Sequence, residues 1–221
     1  MHHLFHFINS VNVELPQYIT LFGKKIYLIL FIIIFAKTAY IVLTFLPGDA
    51  TLFASGTIAA SGQLHFQLLL LLFFVATVAG DAQNYLIGKI FSLFNKSDRF
   101  SIYKLIPKKS MDKTHIFLNN YGKWAIMFSR FIPLLSTTLP FIGGLTSYSF
   151  KRFISYNAIG AAIWAIIWVG AGDLIGNMSW VEHHMFLSLL GITLFSLLPP
   201  VIAFIIEYTK KIATASKVTD S

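Results

Sequence analysis

Five ionisable residues lie within or at the edge of strongly apolar stretches: Lys37, Asp49, Asp81, Arg130 and Asp173. A charge at the centre of a bilayer costs at least about 2.5 kcal/mol unless it is paired or hydrated, so these groups should face a shared cavity. Arg130 stays charged at physiological pH and offers a planar fork suited to phosphate. It is expected to bind an anionic lipid headgroup, with the hydroxyls of Ser136, Thr137 and Thr138 and nearby helix N-termini adding donors. Asp49 is expected to be its counter-ion in the empty state, released when substrate or a proton arrives. A static Arg130–Asp49 bridge is the structural alternative, and buried ion pairs stabilise poorly compared with apolar packing. Lys37 reads equally well as a second headgroup ligand or as a side chain reaching an interface. Asp81 and Asp173 stand near span ends beside glycine, where caps or interface roles are expected.

Other chemistries find little support. Ser129-Arg130 begins a phosphatase-like pattern, but no nucleophilic histidine follows nearby. There is no HExxH and no nucleotide-binding glycine loop. Cysteine is absent, which excludes disulfides and thiolate metal sites. His2, His3 and His6 read as solvated or headgroup-facing, and His115 as locally bonded. Trp124, Trp164, Trp168 and Trp180 read as interface or packing aromatics. No metal, cofactor or catalysis is expected.

Residues positioned this way need membrane elements. Of 221 residues, 56% are hydrophobic and 12% charged, with a mean hydropathy of +0.71. Soluble domains carry about 25% charged residues, so the chain reads as one integral membrane domain. The net charge of +8 comes in short basic clusters between apolar runs, a topology signal rather than a nucleic-acid footprint. Residues 1–20 read as an amphipathic surface helix, with no pattern for a cleaved signal. Spans are expected at Ile26–Leu46, Leu64–Gly88, Phe153–Gly176 and Met185–Tyr208, within a membrane domain over 21–210. Residues 89–123 form a cytoplasmic loop and 211–221 a cytoplasmic tail in this reading.

Two apolar stretches do not fit spanning helices. Pro47–Gly62 is too short and rich in small residues. Arg130–Tyr148 carries Pro133, Pro140 and the pair Gly143-Gly144, and interior prolines break helices. Broken backbone is tolerated at membrane depth only where protein buries it or it lines a polar cavity. Both therefore read as re-entrant hairpins, shaped by Pro47, Gly48, Pro133, Pro140, Gly143 and Gly144. Four crossings and two hairpins place Lys24/Lys25, the basic 89–123 block, Lys151/Arg152 and Lys210/Lys211 on one side. The positive-inside rule makes that side cytoplasmic, with both termini. Phe45-Leu46-Pro47 is echoed by Phe131-Ile132-Pro133, Thr51-Leu52 by Thr138-Leu139, Gly56 by Gly144, and Ala79-Gly80-Asp81 by Ala171-Gly172-Asp173. With one span between them the hairpins must enter from opposite faces, an inverted repeat typical of transporters. The fold expected is an all-α membrane protein: about four transmembrane helices plus two opposed re-entrant hairpins.

The segments Phe45-Leu46-Pro47-Gly48-Asp49, Gly80–Gly88, Asp112-Lys113-Thr114-His115, Arg130-Phe131-Ile132-Pro133 and Tyr156–Ala161 resemble motifs of the DedA family, also called SNARE-associated or VTT-domain proteins. The resemblance runs from about residue 15 to residue 210. It implies two opposed re-entrant hairpins in a helical membrane domain of the bacterial cytoplasmic membrane. It also implies a role in returning undecaprenyl phosphate across that membrane and in proton-motive-force and envelope homeostasis; eukaryotic relatives scramble phospholipids. Two positions depart from the pattern. Lys37 stands where the family often has glutamate, and Ser136 where it often has a second arginine. An acid has become a base and a base has become neutral, so proton coupling would rest on Asp49 or on Lys37 itself.

The function expected is flipping of a polyprenyl phosphate or related anionic lipid, with proton coupling and homo-oligomerisation as open features. The alternatives are a proton-coupled exporter of small cationic solutes, with Asp49 as the acid, and a non-transporting envelope scaffold.

Overall fold

The computed structural model describes residues 23–44, 46–94, 108–132 and 135–176, and beyond these 178, 187, 188 and 191. The expected amphipathic segment 1–20, Pro133, almost all of the last expected span and the C-terminal tail lie outside these residues. Every regular element among the described residues is helical. In order they are α1 (Lys25–Ala39), a 3-10 turn (Ile41–Leu43), α2 (Gly48–Ala60), α3 (Phe66–Phe94), α4 (Lys108–Phe128), a second 3-10 turn (Ser129–Phe131), α5 (Leu135–Leu145) and α6 (Phe150–Gly176). The succession of helix, 3-10 turn, short helix and long helix thus occurs twice.

Phe66–Leu93 in α3 and Phe150–Gly176 in α6 are long and apolar enough to cross a membrane. At 1.5 Å per residue either exceeds the roughly 30 Å hydrocarbon core. Only a third of each apolar window is buried inside the protein, and Leu71, Val75, Ile163 and Ile166 point outward. A core helix of a soluble protein would hide such residues; lipid leaves them outside.

Two expected elements differ. The span drawn from Ile26 to Leu46 does not run as one helix, because α1 stops at Ala39 and Tyr40 is extended (φ −124°, ψ 120°). Asn84 of α3 donates to the carbonyl of Thr38 at 3.2 Å, satisfying the group that would otherwise take the next helical N–H. The Thr38 hydroxyl bonds back to Ile34 O at 2.9 Å, an arrangement that loosens a last turn. Within 89–123, taken as a loop, α3 continues to Phe94 and α4 begins at Lys108. Residues 95–107 are outside the described residues.

The short helices end alike. Gly62 has φ +78°, with Gln63 N donating to Ile58 O and Gly62 N to Ala59 O. Ser147 has φ 54°, with Tyr148 N donating to Gly143 O and Ser147 N to Gly144 O. Both are Schellman closures around a left-handed residue.

Each short helix packs on the long helix of the other half: α2 on α6 and α5 on α3. A Cβ at Gly56 would strike the carbonyl of Val169, and one at Gly172 that of Phe53. In the other half a Cβ at Gly144 would strike the carbonyl of Tyr85, and one at Gly88 that of Phe141. These glycine seams let backbones touch where lipid supplies no hydrophobic drive. They bear out the pairing of Gly56 with Gly144 and correct another. Gly172 answers to Gly88, whereas Gly80 packs against Thr38 and Phe35 of α1. The Ala-Gly-Asp tripeptides are therefore not equivalent positions.

Two apolar clusters result. One gathers Ile34, Leu52, Leu69, Phe73, Trp164 and Val169; the other gathers Tyr85, Leu118, Ile126, Leu139, Tyr148 and Phe153. Along α3 the gap between them falls at Asp81, and along α6 at Asn157.

Candidate functional site

Asp81, Arg130 and Asn157 meet in that gap. Arg130 sits in the second 3-10 turn, with its side chain 4% exposed and that of Asp81 1% exposed. One guanidinium nitrogen, Nη2, forms the ion pair with Asp81 Oδ2 and donates to Asn157 Oδ1 at 2.7 Å. Three polar atoms of the same groups have no hydrogen-bond partner among the described residues: Asp81 Oδ1, Arg130 Nε and Asn157 Nδ2. Buried polar atoms are rarely left so, and each costs about 1–3 kcal/mol when unpaired.

Trp164 adjoins this trio. It is 3% exposed and donates its indole N–H to Asp49 Oδ1 at 2.8 Å. Arg130 Cζ lies 6.0 Å from its ring centre and Lys37 Nζ lies 5.8 Å from the same ring. Both distances fall in the range where a cation feels the ring quadrupole. The Lys37 stem also covers Gly48, where a Cβ would strike Nζ. That places an ammonium against the start of α2, one residue from Asp49, which occupies the helix's first turn. A carboxylate there complements the helix dipole.

The structure therefore gathers Lys37, Asp49 and Arg130 around one indole, but it does not pair Arg130 with Asp49. The partner is Asp81, expected in a cap or interface role. Its seat in the interior follows from the helix face it shares with Tyr85, four residues on and itself buried. Ser136 is half-buried and makes no recorded bond to Arg130; its backbone N–H bonds to Ile132 O at 3.2 Å. Pro140 lies inside α5 and cannot give the Ser136 carbonyl its usual ladder bond. Thr137 is buried, its hydroxyl 2.7 Å from that of Thr44, and its carbonyl accepts from Asn84 at 2.7 Å. Thr138 is half-buried one position further along α5.

Residues 46–174 match the VTT domain model. The chain belongs to the DedA family. It is 35% identical to the Escherichia coli K12 protein named Protein DedA, over 97% of both chains. It is 31% identical to an uncharacterized membrane protein of Mycobacterium leprae, over 83% of this chain and 82% of that one. It is 28% identical to the E. coli K12 inner membrane protein YqjA, over 69% and 68% respectively. No solved structure matches. The DedA-family chain is thus a membrane protein, as its composition required.

Three residues that the structure brings to this region have no site role in the sequence reading. Trp164 reads from sequence as an interface or packing aromatic, whereas its buried ring meets groups from three elements. Asn157 and Asn84 are amides inside long apolar helices, an expensive placement unless the amide bonds something. That cost was the available signal.

Proposed function

We propose that this DedA-family protein moves an anionic lipid, with a polyprenyl phosphate as the leading candidate, across the cytoplasmic membrane. The observation that supports this most is the buried Arg130 between Asp81 and Asn157, with unpartnered polar atoms in the seam between two apolar clusters. Burying an ion pair costs more than packing apolar side chains of similar volume, so a fold that retains one in lipid is using the charge. The two short helices, each broken from its preceding element and each ending in a Schellman closure, suit re-entrant hairpins in an inverted pair. In this reading four helices cross and both termini are cytoplasmic. Arg130 receives the phosphate; Lys37 adds a second positive charge beside Trp164. Asp49 and Asp81 hold the cations while the site is empty.

Purified protein in liposomes, assayed for translocation of a polyprenyl phosphate with and without a pH gradient, tests this. Translocation is expected with the natural chain and is expected to be largely lost with Arg130→Lys, which keeps charge but not the fork. No translocation by folded protein under either condition would remove the reading.

A further inference from the structure

The geometry points to a site that takes a phosphomonoester in its singly protonated form, with Asp81 accepting the phosphate's own proton in a hydrogen bond. This rests on the reading of the site as a lipid-phosphate pocket and deepens it by naming the headgroup's charge state.

The inventory of unpartnered atoms carries the inference. Arg130 Nε and Asn157 Nδ2 are donors lacking an acceptor, and Asp81 Oδ1 is an acceptor lacking a donor. All three belong to side chains at least nine-tenths buried. They belong to one bonded cluster, because Asp81 Oδ2 and Asn157 Oδ1 both accept from Arg130 Nη2. A ligand that completes the set must accept at two positions and donate at one. A singly protonated phosphomonoester has that valence: its ionised oxygens accept from Nε and Nδ2, and its P–OH donates to Oδ1. A phosphodiester has no hydroxyl to give, and it would set an ester oxygen, which cannot donate, against the Asp81 carboxylate. A doubly ionised monoester also lacks the hydroxyl, and it would set an ionised oxygen against that carboxylate.

The charges around Asp81 are few. Arg130 faces it from the second 3-10 turn. Lys37 on α1 and Asp49 on α2 lie against Trp164, whose ring also faces Arg130. Tyr85, one turn along α3, is engaged with the Tyr148 carbonyl. On α6 the charged residues are Lys151 and Arg152, both exposed, and Asp173, half-buried beside Gly56. α5 carries no titratable side chain. The second ionisation of a phosphomonoester falls near pH 6, so over pH 6 to 8 the ligand itself changes charge.

Binding to the full-length protein in detergent tests this, using farnesyl phosphate, its methyl diester and inorganic phosphate. Farnesyl phosphate should weaken by about tenfold or more from pH 6 to pH 8. The methyl diester should bind at least about tenfold more weakly at pH 6, lacking the donor. Asp81→Asn should flatten the pH dependence and narrow the gap between the two lipids. Equal binding of monoester and diester by the natural chain overturns the proposal and leaves the unpartnered atoms to ordered water. So does a pH profile that Asp81→Asn leaves unchanged. The first two arms need no variant, so a misfolded substitution does not shield the idea. Displacement of the lipid by inorganic phosphate at matched concentration would uphold the chemistry and make free phosphate its source. Translocation of both lipids with no preference would sink this inference alone, whereas selective binding without translocation would sink only the transport reading.

Discussion

Trp164 donates its indole N–H to Asp49 across a sequence separation of 115 residues, and the same ring lies beside Lys37 and Arg130. Replacing it with phenylalanine keeps a ring but removes the donor. Trp164→Phe should cost about 1–3 kcal/mol, since a partly buried carboxylate oxygen loses its bond. A lowered melting temperature in detergent, together with reduced translocation, would bear this out; an unchanged protein would show that the bond is idle.

Asp81 and Arg130 should fail asymmetrically. Asp81→Ala leaves a buried guanidinium without a counter-charge and should cost about 3–5 kcal/mol. The double variant Asp81→Leu/Arg130→Met removes both charges and should be more stable than Asp81→Ala alone, while losing translocation. Thermal unfolding of the three proteins checks the order.

The glycine seams make a positional prediction. Gly56→Ala and Gly144→Ala each drive a methyl into a facing backbone carbonyl and should cost about 1–3 kcal/mol as the helices part. Gly170 has open space at its Cβ position, so Gly170→Ala should be neutral or gain about 0.5–1 kcal/mol from reduced chain entropy. Melting temperatures of the three variants separate steric contact from helix propensity.

Asn84 donates to two carbonyls, of Thr38 in α1 and Thr137 in α5. Asn84→Leu keeps the branched shape but leaves both acceptors without that donor, at about 1–3 kcal/mol each. Hydrogen exchange should rise first at the C-terminal end of α1 and the start of α5. Uniform exchange would show that the amide does not hold these ends.

The absence of cysteine makes topology directly measurable. Ser61 and Ser149 are exposed at the far ends of the two short helices. In the opposed-hairpin reading, Ser61→Cys should react with a membrane-impermeant maleimide from outside intact cells and Ser149→Cys only after lysis. Labelling of both from one side would overturn the inverted arrangement.

Much of the site was legible because charge in an apolar run is costly and therefore conspicuous. Arg130, Asp49 and Lys37 stood out for that reason, and the structure brings all three to one ring. The pairing was not legible. Asp81 sits beside Gly80, which invited a cap, and Asp49 had an apparent mate in the opposite hairpin. Which carboxylate faces Arg130 depends on tertiary packing, in which close glycine contacts bring α5 against α3. The same seams show why Gly80-Asp81 and Gly172-Asp173 misled: matching tripeptides fell on faces with different neighbours. α1 stops at Ala39 beside an amide that bonds Thr38 from 46 residues away, a tertiary effect that local propensity does not carry.

The exchange of short helices between halves also dictates an order of assembly during synthesis. α2 leaves the ribosome well before the part of α6 that covers its glycine face, since the Asp49–Trp164 bond alone spans 115 residues. At ordinary elongation rates that delay is on the order of ten seconds. Throughout it, a short helix with a carboxylate in its first turn must wait without its final neighbour.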